Sequence, residues 1–324
     1  KARLRAVVRA GAQLMTLAYD LEAANEVIEA GVRDLLALAI APDSGAVLVA
    51  SIVGDYVTAL SERTPGVPVG LTTGFLDLDD LLGGLRPEEL AIIAGRPSMG
   101  KTSMGLAIAK AVAQAGRPVA FFSLEMGRAA LANRLVSWGS HVDSRRIERG
   151  TLSDGDWARV SGAWAALDGV PLYIEESAQT LTQIAAWVQR LQQQGGLACA
   201  VIDYLQLLAP ERKHETRQHE VATISRGLKQ LAKDRKISVV ALSQLSRASE
   251  QRADKRPQLA DLRESGCLEQ DADVAILIHR PELYGGKPED QGIAEIIVAK
   301  QRNGPTGVIK LAFIAQEARF ANLA

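Results

Sequence analysis

From residue 71 onward the chain is written in short, almost continuously apolar runs: LAIIAG (90–95), PVAFFSLE (118–125), ACAVIDY (198–204), ISVVALSQ (237–244), DVAILIH (273–279) and AEIIVAK (294–300). Runs without polar alternation suit parallel strands covered on both faces. The first four are separated by segments long enough for helices. One of these, TSMGLAIAKAVAQAG (102–116), closes on Gly116, the residue type favoured just past a helix C-terminus. The pattern predicts an α/β fold: a doubly wound, mostly parallel sheet with helices on both faces. The last runs, ending in GVIKLAFI (307–314), are joined by shorter links and predict antiparallel strands.

The first seventy residues follow a different period. Leu4, Val8, Gly11, Met15 and Ala18 mark one helical stripe, and Ile28, Val32, Leu35 and Ala39 mark a second. Pro42-Asp43-Ser44-Gly45 breaks the pattern. A further amphipathic stretch carries Leu48, Ile52, Tyr56 and Leu60 on one face, and ERTPGVPVG (62–70) reads as an extended linker, because proline disfavours helix before it. The expected domains are a helical hairpin (1–44), a linker helix with its extended tail (45–70) and an α/β domain (71–324).

Composition narrows the partners. Of 324 residues 47% are hydrophobic and 23% charged, with a net charge of −1, so any site for a polyanion must be local. The two cysteines, Cys199 and Cys267, form no CxxC pair, which predicts neither a disulfide framework nor a zinc site and fits a reducing, cytosolic setting. His141, His214, His219 and His279 show no metal-ligand spacing. No apolar run is long enough to span a bilayer, and KARLRAVVRA (1–10) lacks the apolar core of a signal peptide. The chain opens on Lys1 rather than Met, which predicts further sequence upstream.

GRPSMGKT (95–102) follows an apolar strand and opens a helix, matching G-x-x-x-x-G-K-[ST] in the required context. Gly95 and Gly100 let the backbone, through Arg96, Pro97, Ser98, Met99 and on to Ser103, wrap a polyphosphate with its N–H groups facing the charge. Lys101 reaches the terminal phosphates and Thr102 ligates Mg²⁺ in such loops. Three more polar residues end apolar runs. Asp203 fits an acid that holds Mg²⁺. Glu125 is a candidate for polarising an attacking water, and Gln244 can hydrogen-bond a phosphate without repelling it. In open α/β sheets ligands sit beyond the carboxyl ends of the strands, so these side chains should converge. Taken singly, each also reads as a solvated strand end.

The run AEIIVA ends in Lys300 and Arg302, two cations that a strand aims at one place. One reading is a pair of groups for a phosphate; the other is a solvated strand end paired with a surface acid, worth about 0–1 kcal/mol. APERKHETRQHE (209–220) carries Arg212, Lys213 and Arg217 without an aromatic residue. It would grip a nucleic acid through phosphates and with little sequence preference, or else be an ordinary charged loop, since Glu211, Glu215 and Glu220 nearly cancel the cations. EQRADKRPQ (250–258) reads as basic and flexible, with no site. With five Phe and five Tyr in the chain, no residue stands out for stacking on a nucleotide base.

GRPSMGKT, FFSLEM (121–126), VIDYLQLL (201–208), ALSQLSR (241–247), DLRESGCLEQDAD (261–273) and AKQRNGPTG (299–307) resemble, in order and spacing, the motifs of DnaB-type replicative DNA helicases. The resemblance runs from about residue 70 to the end. Residues 1–62 resemble that family's N-terminal hairpin and linker helix more loosely. The resemblance implies a RecA-like fold, a homo-hexameric ring, ATP or another NTP with Mg²⁺, and 5′→3′ translocation on single-stranded DNA. Primase and a helicase loader are the implied partners, and the cytoplasm of a bacterial or phage-infected cell the implied setting. Lys300 and Arg302 match finger residues that reach a γ-phosphate held by the neighbouring subunit, while Arg263, Glu264 and Gly266 match a loop facing the DNA channel. An arginine finger is worth roughly 10³–10⁵ in rate, or about 4–7 kcal/mol. The competing reading is a RecA-like strand-exchange or DNA-coating protein. A purely structural ring is a third, against which Glu125 and Arg302 argue.

Overall fold

The computed structural model describes residues 8, 11–12, 14–16, 29, 31–33, 47–62, 68–210, 216–246, 250, 252 and 254–323, with 263–266 described in the backbone alone. Two compact units divide between Val67 and Pro68. In the first, Val8, Gly11, Met15 and Val32 are helical; the remaining stripe positions and the Pro42–Gly45 break lie outside the described residues. Helix α1 (Val49–Ser61) carries the expected apolar row, and none of its residues is buried. Leu48, just before it, is 81% exposed.

The second unit is built on one nine-stranded sheet. Its strands are β1 (Leu90–Gly95), β2 (Val119–Ser123), β3 (Leu172–Glu175), β4 (Cys199–Asp203), β5 (Ser238–Gln244), β6 (Val274–His279), β7 (Ile293–Gln301), β8 (Gly307–Ile314) and β9 (Arg319–Ala321). They lie in the order β3-β2-β4-β5-β1-β6-β7-β8-β9. β3 through β6 in that order are parallel, and β7, β8 and β9 join antiparallel.

The apolar runs are explained by two cores, one on each face. Alternate residues of a strand point to opposite faces. Ile93, Phe121, Val201, Leu242 and Ile276 pack on one side, against α3 (Lys101–Gln114) through Met104, Leu106 and Ile108 and against α4 (Arg128–Ser140) through Leu131 and Leu135. Ile92, Phe122, Ile202, Ala241 and Leu277 pack on the other, against α7 (Leu181–Gly195) and α8 (Arg217–Arg235) through Ile184, Val188, Ile224 and Leu228. Each of the larger side chains, taken fully out of water, contributes about 1.5–3 kcal/mol. A single polar residue in these runs would therefore face a core whichever way the strand turned.

Shorter helices complete the unit: α2 (Leu76–Leu82), α5 (Ser144–Arg149), α6 (Asp154–Ala165) and α9 (Gly266–Asp271). α6 opens with a reciprocal capping box between Ser153 and Asp156, and α7 with one between Thr180 and Gln183. A 3₁₀ segment, Leu259–Ser265, runs directly into α9. No described helix is long and apolar enough to cross a membrane.

Candidate functional site

Strand β1 ends at Gly95 and α3 begins at Lys101, so the phosphate-loop motif spans the turn from sheet to helix. Gly100 has φ +95, and a Cβ there would lie 2.9 Å from the Phe320 ring and 3.2 Å from Phe313. Both the backbone conformation and the close ring approach therefore require glycine. Arg280, at the end of β6, braces the loop from below. Its guanidinium donates to the Ser98 carbonyl at 3.3 Å and lies 3.7 Å over the Phe313 ring. Arg96 holds the other side, donating to the Leu245 carbonyl at 2.9 Å and pairing with Glu250 at 2.9 Å. The Met99 side chain turns into the core.

Above the loop lies a cleft of about 350 Å³. Pro97, Ser98, Gly100, Lys101, Thr102 and Ser103 line one side of it, and Glu125 and Gln244 arrive from the ends of β2 and β5. Asp203 ends β4 behind them, with no exposed surface. Neither Asp203 oxygen has a hydrogen-bond donor within bonding geometry. Burial pushes the Asp203 carboxyl up to about 6; Glu125 adds to this, while the nearby Thr102 hydroxyl, Lys101 and Arg134 oppose it. Burial also pulls the Lys101 ammonium below the usual lysine value, against the attraction of Asp203 and Glu125. Its Nζ donates to the Arg96 carbonyl at 3.3 Å.

A buried carboxylate with two unpartnered oxygens beside a threonine hydroxyl fits a hydrated divalent cation. Among the described residues no group of three or more His, Cys, Asp or Glu is placed to hold a metal ion by itself. Few protein ligands suit Mg²⁺, which keeps most of its waters and shares phosphate oxygens.

Lys300 and Arg302 lie at the opposite end of the sheet. Gln301 pairs with Val274, and Val274 pairs with Ala91, so the end of β7 is level with the start of β1. Four strand residues, about 13 Å, separate that level from Gly95, with two strand spacings, about 10 Å, across the sheet. Both side chains also point elsewhere. Lys300 Nζ donates to the carbonyls of Glu269 (2.6 Å), Ala272 (2.7 Å) and, at longer range, Gln270 (3.4 Å). Arg302 donates to the Gln270 carbonyl at 2.9 Å and pairs with buried Asp273 at 3.3 Å. The two cations do converge, as their spacing predicts, and within one chain the place they meet is the C-terminus of α9.

Residues 70–322 match the family model described as DnaB-like helicase C terminal domain. This chain belongs to the DnaB-like helicases. It is 41% identical to the replicative DNA helicase DnaB of Leifsonia xyli subsp. xyli, over 100% of this chain and 72% of that protein. It is 43% identical to the replicative DNA helicase DnaB of Geobacillus stearothermophilus, over 83% of this chain and 60% of that protein. A solved structure described as a DnaB-like replicative helicase and its interactions with primase superposes with a TM-score of 0.84 at 33% identity, covering 99% of this chain and 76% of that one. The larger unit is thus the RecA-like ATPase domain of a DnaB-like, ATP-dependent DNA helicase family.

Within this DnaB-like domain, the cleft wall also contains Arg134, Tyr204, Met126, Phe313 and Ala318, none of which the sequence singled out. Arg134 comes from α4, its Nη1 3.5 Å from the Ser103 hydroxyl. Burial lowers its pKa while Asp203 and Glu125 pull the other way. Phe313 and Tyr204 bring aromatic rings to the cleft wall, and the short tally of Phe and Tyr gave no sign of either. Gln206 fixes the tip of β5, donating to the Ser243 hydroxyl at 2.8 Å and accepting from the Gln244 amide at 3.3 Å.

The DNA-side residues are only partly described. Arg212 and Lys213 lie outside the described residues, as do the side chains of Arg263 and Glu264; the Gly266 backbone begins α9. Arg217 is not on a loop. Thr216 caps α8, and Arg217 in its first turn pairs with Glu220 at 2.7 Å and donates to the Gln206 carbonyl. Two described cations of the basic stretch 250–258 are tied down: Arg252 grips Asp261 through two bonds (2.7 and 2.6 Å), and Arg256 grips Glu295 likewise. Two buried acids account for cations that sequence alone assigns to a flexible surface.

Proposed function

We propose that this chain is the motor portion of a replicative helicase. A homo-hexameric ring hydrolyses ATP, or another NTP, with Mg²⁺ at the junctions between copies and draws single-stranded DNA through its centre 5′→3′, unwinding duplex ahead of it. The observation that carries this reading is the separation of Lys300 and Arg302 from their own phosphate loop. A nucleotide in the cleft can meet those cations only if another copy supplies them.

Each residue then has a role. The backbone N–H groups of 95–103 and Lys101 hold the phosphates, and Glu125 orients and polarises the attacking water. Gln244 senses the terminal phosphate, and Arg134 adds a cation from this chain's own side. Mg²⁺, held by Thr102 and Asp203, supplies charge to the phosphate oxygens. The neighbour's Arg302 and Lys300 neutralise the charge that develops as the phosphoryl group transfers; the planar fork of Arg can make paired hydrogen bonds there. Arg263, Glu264, the Gly266 backbone, Arg212, Lys213 and Arg217 are assigned to the DNA path. Residues 1–44 belong to a collar that receives primase and loader proteins, and α1, in the linker 45–70, docks by its apolar row on an adjacent copy. The ring works in the cytoplasm.

Mixing two inactive variants, Lys101→Ala and Arg302→Ala, tests the shared site. Interfaces in mixed rings that pair an intact loop with an intact finger should restore part of the hydrolysis. No recovery despite proven subunit exchange would overturn it.

A further inference from the structure

The contacts of Lys300 and Arg302 inside their own chain suggest what they do between catalytic events. Lys300 has three donors, and its Nζ bonds three carbonyls at and just past the C-terminus of α9: Glu269, Gln270 and Ala272. A lysine so engaged satisfies carbonyls that a helix end leaves without partners, and its charge suits the negative end of the helix dipole. Arg302 adds a fourth bond, to Gln270, and its backbone N–H donates to the Asp273 carbonyl at 2.9 Å. The same helix is continuous at its other end with the 3₁₀ segment Leu259–Ser265 that bears the DNA-side motif. Asp273, which follows α9 closely, is fixed to the sheet by Lys229 at 2.5 Å and the Leu90 amide at 2.8 Å. The C-terminal end of this 15-residue stretch is therefore anchored, beside the carbonyls that Lys300 and Arg302 hold, and those side-chain bonds are the contacts that a competing anion can draw away.

We propose that Lys300 is a positioning residue for the DNA loop: α9 and the neighbouring copy's terminal phosphate compete for the same two cations. Lys300 cannot keep three carbonyl bonds and also reach a phosphate. A phosphate carries full negative charge where carbonyls carry partial charge, so bound ATP next door takes the cations and uncaps α9. Loss of the terminal phosphate returns them, and the cap re-forms. The grip of residues 259–266 on DNA thereby follows the nucleotide state of the adjacent site. Linkage requires the reverse as well: DNA on the loop alters nucleotide affinity next door by the same factor. This inference rests on the finger reading above.

The test uses the assembled protein, a fluorescein-labelled oligothymidylate and a non-hydrolysable ATP analogue. In the unsubstituted protein the analogue should raise amide exchange across 267–272 and change oligothymidylate affinity about 5-fold or more, within the usual range for coupled sites. In Lys300→Met, exchange at 267–272 should already be high without nucleotide, and the affinity should no longer respond to the analogue. Lys300→Arg, which keeps the charge and donors, should recover both responses; a generally destabilised protein would not respond this way. If mixed rings of the Lys101→Ala and Arg302→Ala proteins recover hydrolysis while exchange at 267–272 ignores the analogue, the finger stands and the competition is refuted. If mixed rings recover nothing, both fall.

Discussion

Replacing Asp203 with asparagine isolates the cost of holding a charge in the nucleotide cleft. The carboxyl is pushed from the ordinary 3.8 to about 6, which at 1.36 kcal/mol per pH unit is about 3 kcal/mol. Its sign follows from proton binding. Between those two values the folded chain holds a proton that the unfolded chain has released, so stability falls as pH rises through the window and stays low above it. Asparagine never ionises. Its amide has its own cost in a site without partners, about 1–3 kcal/mol, but that cost is the same at every pH. The informative quantity is thus the change in the gap between variant and parent. Urea unfolding without nucleotide should show Asp203→Asn gaining about 2.4 kcal/mol relative to the parent from pH 4 to pH 8, since the unfolded carboxyl is already more than half ionised at pH 4. With ATP analogue and Mg²⁺ at pH 8 the order should reverse, because the parent alone offers an ionised ligand, and parental Mg²⁺ affinity should fall about tenfold per pH unit below about 6. A gap that stays flat across the window would refute the account of Asp203 as a desolvated, unpartnered carboxylate.

Three further outcomes follow from the backbone and from α1. Gly100→Ala, with φ +95 and a ring 2.9 Å from the new Cβ, should lose about 1–3 kcal/mol in urea unfolding and weaken nucleotide binding by titration. Gly169→Ala, with φ +73 and nothing within 4 Å, should lose about 1–2 kcal/mol and leave binding unchanged. Deleting residues 1–62 should shift hexamer formation to higher protein concentration in light scattering, since it removes the apolar row of α1; unchanged assembly at all concentrations would count against docking by that row.

Much of this was legible because buried parallel strands leave a run of apolar residues that nothing else in a soluble chain explains. The runs at 90–95 and 307–314 coincide with β1 and β8. What was missed lacks that signature. β3 has four residues and lies at the sheet edge, with Tyr173 half exposed, so its run is short and mixed. β9 has three residues. In the site, residues of the phosphate loop announce themselves by spacing, because consecutive backbone amides must face one ligand. Arg134 does not. A lone cation within an amphipathic helix reads as a solvated face, and only the packing of α4 on the sheet turns it toward Asp203. Arg252 and Arg256 failed in the opposite direction: their partners Asp261 and Glu295 are 9 and 39 positions away, beyond any local pattern.

The direction of the sheet constrains how copies can meet. The nucleotide cleft opens at the carboxyl ends of the parallel strands, and the antiparallel β7 delivers Arg302 to their amino ends. A two-fold pair brings the same patch of both copies together, and a cleft and a finger at opposite ends of one sheet do not make one patch. The shared site we propose therefore calls for a head-to-tail contact, which each copy repeats with the next and which either closes into a ring or winds into a filament. Both the helicase and the filament readings of the sequence share that contact. The ring we propose requires closure, and the ATPase sheet alone does not impose it: a repeat of identical contacts closes only when its rotation divides a full turn. Elements outside the sheet must restrict that rotation, and among the described residues α1 is a helix with a full row of unburied apolar side chains. In the proposed ring the sheet makes the fuel site a shared one, and the apolar row of α1 is the described feature placed to limit how many copies share it.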